Sequence, residues 1–271
     1  RERSLEAQIW SPPLAENEMA NESREAVLAK LASNPRYTAL FAETFDEGLT
    51  ERTLGRVLAA YQRALLSGDS PFDRWYFGGE RSTGLGSGSE GYPALAAQGF
   101  ALFQDKDCAS CHRINDTSAL FTDGQFHNTG TGYRRAGRAL RPPSVQLAPG
   151  VFVVPTVDAE TETFTDDGRF EVTGREADKW RYRTPSLRNV ALTGPYMHDG
   201  SIATLEGVVA FYAEGGGGDP TQDPRTRSVQ LTESDQEALV AFLRTLTSSH
   251  VDALVSDARS VTIGERTAGG Q

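Results

Sequence analysis

The stretch "DKDCASCHRI", residues 105–114, contains both cysteines of the 271-residue chain and one of its four histidines. Cys108 and Cys111 are three residues apart, and His112 follows the second cysteine directly. Two thiols at this spacing can add to the two vinyl groups of one porphyrin, and the adjacent imidazole can bind the iron as its proximal ligand. The stretch therefore predicts the covalent attachment of one haem c.

Three other uses of a Cys-x-x-Cys pair fit the sequence less well. A structural zinc site needs two further Cys or His ligands at a matched spacing, and the chain has no second cysteine pair. A thioredoxin-like redox pair belongs to a βαβ unit, and no such pattern surrounds Cys108. A disulfide across so short a loop is uncommon and gives no reason for His112. Haem attachment accounts for all three residues.

The charge and composition exclude some classes of partner. A net charge of −10 argues against nucleic acid, because phosphate binding needs a basic surface. It leaves room for a basic protein partner, since opposite fields steer encounters between small redox proteins. The 38 % of apolar and 24 % of charged residues are typical of a globular protein, and no stretch reaches the roughly 20 apolar residues that span a bilayer.

The start of the chain, "RERSLEAQIW", lacks the charged, apolar and small-residue regions of a signal peptide. Covalent haem attachment in bacteria takes place outside the cytoplasm. Together these observations predict a periplasmic protein whose leader has been removed.

Hydrophobic periodicity predicts a mostly α chain. Between residues 21 and 66, two short helices meet at Asn34-Pro35 and a longer helix begins near Thr50. Three further helices are predicted, one leading into the Cys-x-x-Cys-His stretch and the others covering residues 201–213 and 233–246.

Long loops are predicted between these helices. Residues 113–180 are rich in Gly, Pro, Asp and Thr, and their β-prone pieces, "VFVV" at 151–154 and "FEVT" at 170–173, indicate one hairpin. The Gly- and Ser-rich residues 78–92 are predicted to form an exposed loop, and the last 20 residues a poorly anchored tail.

One haem leaves at most one axial position opposite His112, and the sequence offers four side chains for it. These are Met197, His127, His198 and Tyr212. His/Met ligation raises the reduction potential, as in small cytochromes c, and Met197 is one of only two methionines. Tyr212 shares a helix face with two aliphatic residues, which equally suits a core aromatic. The spacing alone does not choose among the four.

Four longer stretches together resemble the bacterial di-haem cytochrome c peroxidase and MauG-like family, in order and over most of the chain. They are "ALAAQGFALFQDKDCASCH", "FTDGQFHNTG", "RTPSLRNVALTGPYMHDGSIATLEGVVAFY" and "LTESDQEALVAFLRTL". Members of that family have an N-terminal haem domain, where peroxide reacts, and a C-terminal haem domain that relays electrons. The resemblance implies a mostly α, cytochrome c-like haem domain with long loops, preceded by the helical remainder of a second such domain.

The same resemblance implies a domain division. Residues 1–69 match the remainder of the peroxidatic domain, residues 70–250 the complete electron-relay domain, and residues 251–271 a tail. The N-terminal haem, its Cys-x-x-Cys-His and the Trp between the haems have no counterpart in this chain. A second haem is therefore expected from a missing segment or from a companion haem chain.

"SLEAQIWSPPLAENEM" resembles the segment that lines the peroxide pocket of the family. Gln8 and Glu18, with Pro12 between them, have the spacing of the two catalytic residues there. The resemblance implies that Glu18 takes the proton from the first oxygen of H2O2 and returns it to the departing one, while the Gln8 amide holds the peroxide.

The resemblance also implies metal ligands. His112 matches the proximal iron ligand, and the distal ligand falls on Tyr212, where peroxidases usually have Met and MauG-like members have Tyr. A phenolate stabilises ferric and higher oxidation states, so Tyr212 indicates MauG-like chemistry, with Met197 as the alternative ligand. The calcium ion that the family binds between its haems implies carbonyl ligands at Thr193 and Pro195.

Other family positions are less decisive. Quinone-forming members carry a Trp two residues before the first Cys, and Lys106 stands there in this chain, which argues against quinone formation on an amine dehydrogenase. His127, His198 and Arg188 match family motifs and are expected to position loops or haem propionates.

The sequence thus predicts an enzyme, a di-haem peroxidase or MauG-like oxidase that reduces H2O2 with electrons relayed through the haem on His112. A small redox protein such as a cytochrome c or a cupredoxin is the expected electron donor. Two alternatives remain open, a single-haem electron-transfer subunit of a larger periplasmic redox complex and a subunit whose haem is structural.

Overall fold

The computed structural model describes residues 4–16, 18–78, 91–136, 145–148, 151–153, 166–226 and 229–260. Within this part, the chain is mostly helical with four short strands, which confirms the predicted fold class. The chain divides into two compact units, one formed by Arg1–Leu66 with Asp252–Gln271 and the other by Ser67–Val251. None of the described helices combines the length and apolar character needed to cross a bilayer.

The first unit begins with five helices. They are α1 (Leu5–Gln8), α2 (Ser11–Leu14), α3 (Arg24–Ala32), α4 (Pro35–Thr44) and α5 (Glu51–Ala64). The Asn34 side chain caps α4, whose first residue is Pro35, so the predicted break is confirmed. Thr50 caps α5 through a reciprocal capping box with Thr53. A small buried core consists of Ile9, Trp10, Phe41 and Leu54.

The second unit holds the remaining elements up to residue 251. Its described helices are α6 (Pro71–Phe77), α7 (Ala94–Asp105), α8 (Cys108–Cys111), α9 (Thr131–Ala136), α10 (Phe170–Thr173), α11 (Leu205–Ala213) and α12 (Glu233–Arg244). Single 3-10 turns cover Glu176–Asp178, Val190–Leu192 and Pro224–Thr226. The strands are β1 (Phe126–His127), β2 (Val145–Ala148), β3 (Val151–Val153) and β4 (Tyr182–Arg183). They form two antiparallel pairs, β1 with β4 and β2 with β3.

An aromatic cluster forms the centre of the second unit. It consists of Phe72, Phe100, Phe103, Phe121 and Phe242, none more than 3 % exposed. In seven pairs of these rings the centroids are between 5.0 and 6.3 Å apart. Such pairs add to the stabilisation from burial itself. The cluster joins α6, α7 and α12 to the loop that follows α8.

Gly99 allows α7 and α12 to cross closely. A Cβ at this position would overlap the carbonyl oxygen of Ala238 and stand 2.9 Å from the Cβ of Phe242. We expect Gly99→Ala to lower the free energy of unfolding by about 1–3 kcal/mol, the usual cost of overpacking a core, as measured by urea denaturation. Gly68→Ala is the matched control, because a Cβ there meets no atom within 4 Å. Equal stability of the two variants would contradict the close crossing.

One β-prone segment is helical instead. "FEVT" forms the single turn α10, which Gly174 ends with a left-handed φ of 63°. The Thr173 hydroxyl donates to Asp178 at 2.9 Å, and Val172 is 67 % exposed. β propensity reflects packing on a half-buried sheet surface, and this segment has no such surface.

The boundaries of the other elements differ less from the predicted ones. α11 begins at Leu205, four residues later than predicted, because Thr204 is its N-cap. The predicted hairpin is formed by β2 and β3. A further helix, α13 (Val251–Ser260), begins in the predicted tail and was not predicted. Residues 79–90 of the predicted Gly- and Ser-rich loop and residues 261–271 lie outside the described part of the chain.

Candidate functional site

The Cys-x-x-Cys-His stretch forms one helical turn, α8, directly after α7. Asp107 joins the two helices with a left-handed φ of 61°. The His112 N–H closes the turn on the Cys108 carbonyl at 3.0 Å. Cys108 and Cys111 are free rather than joined in a disulfide, and both are partly buried. The turn therefore presents two reduced thiols beside one imidazole.

The His112 ring is held by a backbone carbonyl. Its Nδ1 lies 2.8 Å from the carbonyl oxygen of Phe121, and only a protonated nitrogen can donate to that oxygen. Burial lowers the pKa of His112, which keeps the imidazole neutral at pH 7. The neutral ring thus carries its proton on Nδ1 and has its lone pair on Nε2, the arrangement that an iron ligand requires.

Tyr212 lies near both thiols. Burial, followed by the proximity of Cys108 and Cys111, raises the pKa of the Tyr212 phenol. Burial also raises the pKa of Cys108 to about 11 and moves that of Cys111 upward. All three groups are therefore protonated at pH 7. The Tyr212 hydroxyl makes no hydrogen bond to any described residue, so its oxygen is available to a ligand.

Met197 and His198, two other candidate distal ligands, lie next to each other in the chain. Met197 has a left-handed φ of 68° in the turn of residues 196–202. The His198 ring stacks on Tyr182 with centroids 3.5 Å apart, and its Nε2 lies 3.6 Å from Asp166. His198 is therefore engaged by a neighbouring ring and a carboxylate.

His127 lies between two carboxylates. Its Nε2 is 2.8 Å from Asp123 and its Nδ1 is 2.9 Å from Asp223, to which Arg225 also donates. Arg225 lowers the pKa of Asp223, with help from His127 and against the effect of burial. Burial alone would raise the pKa of Asp123, but the hydrogen bonds with His127, the Gln125 backbone and Thr184, together with the charge of His127, outweigh it and lower that pKa. Both ring nitrogens of His127 are occupied, which argues against His127 as an iron ligand.

The same histidine belongs to a group with metal-ligand spacing. Ligand atoms of Cys111, Asp123 and His127 all lie within 4.8 Å of one another. A thioether on Cys111 would use its thiol for the porphyrin, and Asp123 and His127 already bond each other. Arg225 reaches the Ser110 hydroxyl at 3.5 Å, so this group is better explained as support for the α8 turn.

Gln8 and Glu18 belong to the first unit. Gln8 ends α1, and Glu18 follows α2, which contains Pro12. The Glu18 N–H donates to the Ala15 carbonyl at 3.0 Å and the Met19 N–H to the Pro12 carbonyl at 3.2 Å. Local backbone hydrogen bonds therefore hold this segment in a turn. Both side chains are exposed, and no hydrogen bond joins them within the described residues.

Thr193 and Pro195 follow the 3-10 turn Val190–Leu192. The Thr193 hydroxyl donates to the Val190 carbonyl at 3.3 Å. The carbonyl oxygens of Thr193 and Pro195 accept no hydrogen bond from any described residue. Carbonyl oxygens are suitable ligands for a hard cation such as Ca²⁺.

Sequence reasoning missed the partners that hold His112 and His127. The Phe121 carbonyl is a backbone group without a sequence signal. Asp223 is 96 residues from His127, and only the fold brings them together. Asp123 lies four residues before His127, a spacing that could have indicated a local contact.

Comparison with known proteins gives related chains over most of the sequence. A family model described as di-haem cytochrome c peroxidase matches residues 1–81. The methylamine utilization protein MauG of Methylorubrum extorquens is 36 % identical, over 91 % of this chain and 59 % of its own length. The cytochrome c peroxidase Ccp of Escherichia coli K12 is 31 % identical, over 91 % of this chain and 43 % of its own. MauG of Paracoccus denitrificans is 30 % identical, over 96 % of this chain and 69 % of its own.

This chain thus spans between 43 % and 69 % of the length of these relatives. Among solved structures, a MauG-like protein associated with microbial copper homeostasis matches with a TM-score of 0.64 at 26 % identity, over 91 % of this chain and 69 % of that one. The di-haem peroxidase BthA of Burkholderia thailandensis has the same fold, with a TM-score of 0.60 at 24 % identity over 92 % and 65 % of the two chains.

Proposed function

Because this chain belongs to the di-haem cytochrome c peroxidase and MauG family, we propose that it is the larger part of a c-type haem oxidoreductase that reduces H2O2. The observation that carries the proposal is the α8 turn. There, two reduced thiols precede an imidazole whose Nδ1 is fixed by the Phe121 carbonyl, and the Tyr212 phenol lies near both thiols.

Haem c fits the donors of this turn. Cys108 and Cys111 would hold it through two thioether bonds. Nε2 of His112 would be the proximal iron ligand and Tyr212 the distal one, with Met197 as the alternative. Bound there, haem supplies one-electron redox chemistry. A phenolate donor lowers the reduction potential, which supports a MauG-like relay haem rather than the Met-ligated relay haem that is usual in the peroxidases.

Reduction of one H2O2 to two waters consumes two electrons and two protons. The Glu18 carboxylate would accept the proton from the first peroxide oxygen and return it to the departing one, and the Gln8 amide would hold the peroxide in place. The exposure of both side chains leaves them free to take up these roles. A second haem is needed beside them, from a missing segment or a companion haem chain.

The two halves of the chain would then have separate tasks. We assign residues 1–69 to the remainder of a peroxidatic haem domain, residues 70–250 to the electron-relay domain and residues 251–271 to a tail. Support for this division comes from the match of the family model, which ends at residue 81, and from the Cys-x-x-Cys-His turn beyond it.

The carbonyl oxygens of Thr193 and Pro195 would bind a calcium ion. A small redox protein, such as a cytochrome c or a cupredoxin, would supply the electrons, and the acidic net charge favours a donor with a basic surface. We place the protein in the periplasm, where bacterial c-type haem attachment occurs.

A Glu18→Gln variant tests the proposed peroxide chemistry. In the natural assembly with its full haem content, H2O2 reduction is expected to slow about a hundredfold, because the amide cannot accept a proton. The rate is measured by stopped-flow oxidation of the reduced assembly, with the exposed Glu16→Gln as the matched control. Full turnover by Glu18→Gln would remove Glu18 from the mechanism. An assembly with one haem per protomer and no peroxide reduction would support an electron carrier instead.

A further inference from the structure

Three successive backbone carbonyls in the loop 119–121 each accept a hydrogen bond from a side chain. The first accepts from Nε of Arg188 at 2.6 Å and the second from the Ser186 hydroxyl at 2.7 Å. The third, that of Phe121, accepts from Nδ1 of His112 at 2.8 Å. Two of the three donors therefore come from one short segment, and the third is the proposed iron ligand.

Arg188 is itself fixed by a buried ion pair. Its two terminal nitrogens donate to the two carboxylate oxygens of Asp73 at 2.6 and 2.8 Å, and the two side chains are only 10 % and 14 % exposed. Asp73 accepts further hydrogen bonds from the N–H and hydroxyl of Ser70, the N-cap of α6. A planar guanidinium held in this way presents its Nε in one direction only. Nε of Arg188 is therefore a fixed anchor for the loop.

The loop needs such anchors because its backbone is strained. Phe121 has a left-handed φ of 52°, which is unfavourable for a bulky residue, and its ring is fully buried. A conformation of this kind persists only when the surrounding contacts hold it. The Thr122 hydroxyl donates to the Thr184 carbonyl at 2.7 Å, so the segment 184–188 holds the loop on both sides of Phe121.

We propose that Arg188 and Ser186 are positioning residues that hold the Phe121 carbonyl against His112 and thereby set the reduction potential of the haem bound there. The inference rests on the haem site of the proposed function and is independent of peroxide reduction. A carbonyl that accepts Nδ1–H makes the imidazole a stronger electron donor, which stabilises ferric iron. Loosening the loop weakens this donation and favours the ferrous state.

An Arg188→Lys variant tests the proposal in the haem-loaded protein. The ammonium keeps its charge beside Asp73 but cannot span both Asp73 and the Ala119 carbonyl as the guanidinium does. At one applied potential and pH 7, spectroelectrochemistry is expected to show a ferrous-to-ferric ratio about fivefold above wild type, the factor that an ordinary hydrogen bond is worth. Ser186→Ala removes the donor to the Leu120 carbonyl and the acceptor of the Arg188 backbone N–H, so it loosens the same loop and is expected to raise the ratio in the same direction.

Arg244→Lys is the matched control, because Arg244 pairs with Glu206 at the exposed surface, and its ratio should equal that of wild type. Unchanged ratios in both folded test variants would overturn the proposal. If Arg188→Lys does not fold, Ser186→Ala decides by the same criterion. A wild-type chain without covalent haem would overturn both the haem site and this inference. A haem-loaded chain whose variants shift, but which does not reduce H2O2, would support the inference and count only against the proposed enzymatic activity.

Discussion

A chain in which Cys108 and Cys111 are both replaced by alanine is expected to carry no covalently bound haem. The two thiols are the only cysteines of the chain, so no other thioether can form. The loss is complete rather than partial, and a pyridine haemochrome assay on denatured, solvent-extracted protein should detect no pigment. Single replacements should each leave at most one thioether bond, which shifts the haemochrome band because one vinyl group stays unsaturated.

Ala109→Ser is the matched control for this double replacement. It changes a residue of the same α8 turn without touching either thiol or the imidazole, and its haem content should equal that of the unchanged chain. Covalent haem in the chain that lacks both thiols would refute the proposed attachment site. Absence of haem from the unchanged, natively produced protein would refute it as well.

Replacing Tyr212 by phenylalanine is expected to abolish the low-spin ferric signal of the haem on His112. The change removes only the hydroxyl, which has no hydrogen-bond partner among the described residues, so folding should be little affected. Without the anionic oxygen the ferric iron would lose the distal ligand proposed for it, and the reduction potential would rise. Optical and electron paramagnetic resonance spectra of the ferric protein measure the loss.

Tyr196→Phe serves as the control, because the Tyr196 hydroxyl donates to the Val190 carbonyl at 3.0 Å and is not a candidate ligand. An unchanged low-spin spectrum in Tyr212→Phe, together with its loss in Met197→Ala, would assign the distal position to Met197. Burial raises the pKa of the Tyr212 phenol, so ligation by Tyr212 should also release a proton when ferric haem is bound at pH 7.

Several helix boundaries were predictable because their signals are local. Asn34-Pro35 ends one helix and starts the next, and Thr50 and Thr232 cap α5 and α12. A capping side chain bonds a backbone group two or three residues away, so a short stretch of sequence contains the whole interaction. "FEVT" was predicted wrongly because β propensity depends on neighbouring strands that a short stretch of sequence does not contain.

The candidate site likewise combines a local feature with contacts between residues far apart in the sequence. The sequence by itself determined that two thiols and an imidazole lie close together, because Cys108 and His112 are four residues apart, about one turn of helix. Only the tertiary structure decided what holds that imidazole. Arg188 and Asp73 are 115 residues apart and His127 and Asp223 are 96 apart. Such pairs meet through the packing of the whole unit around its aromatic cluster, which no local pattern encodes.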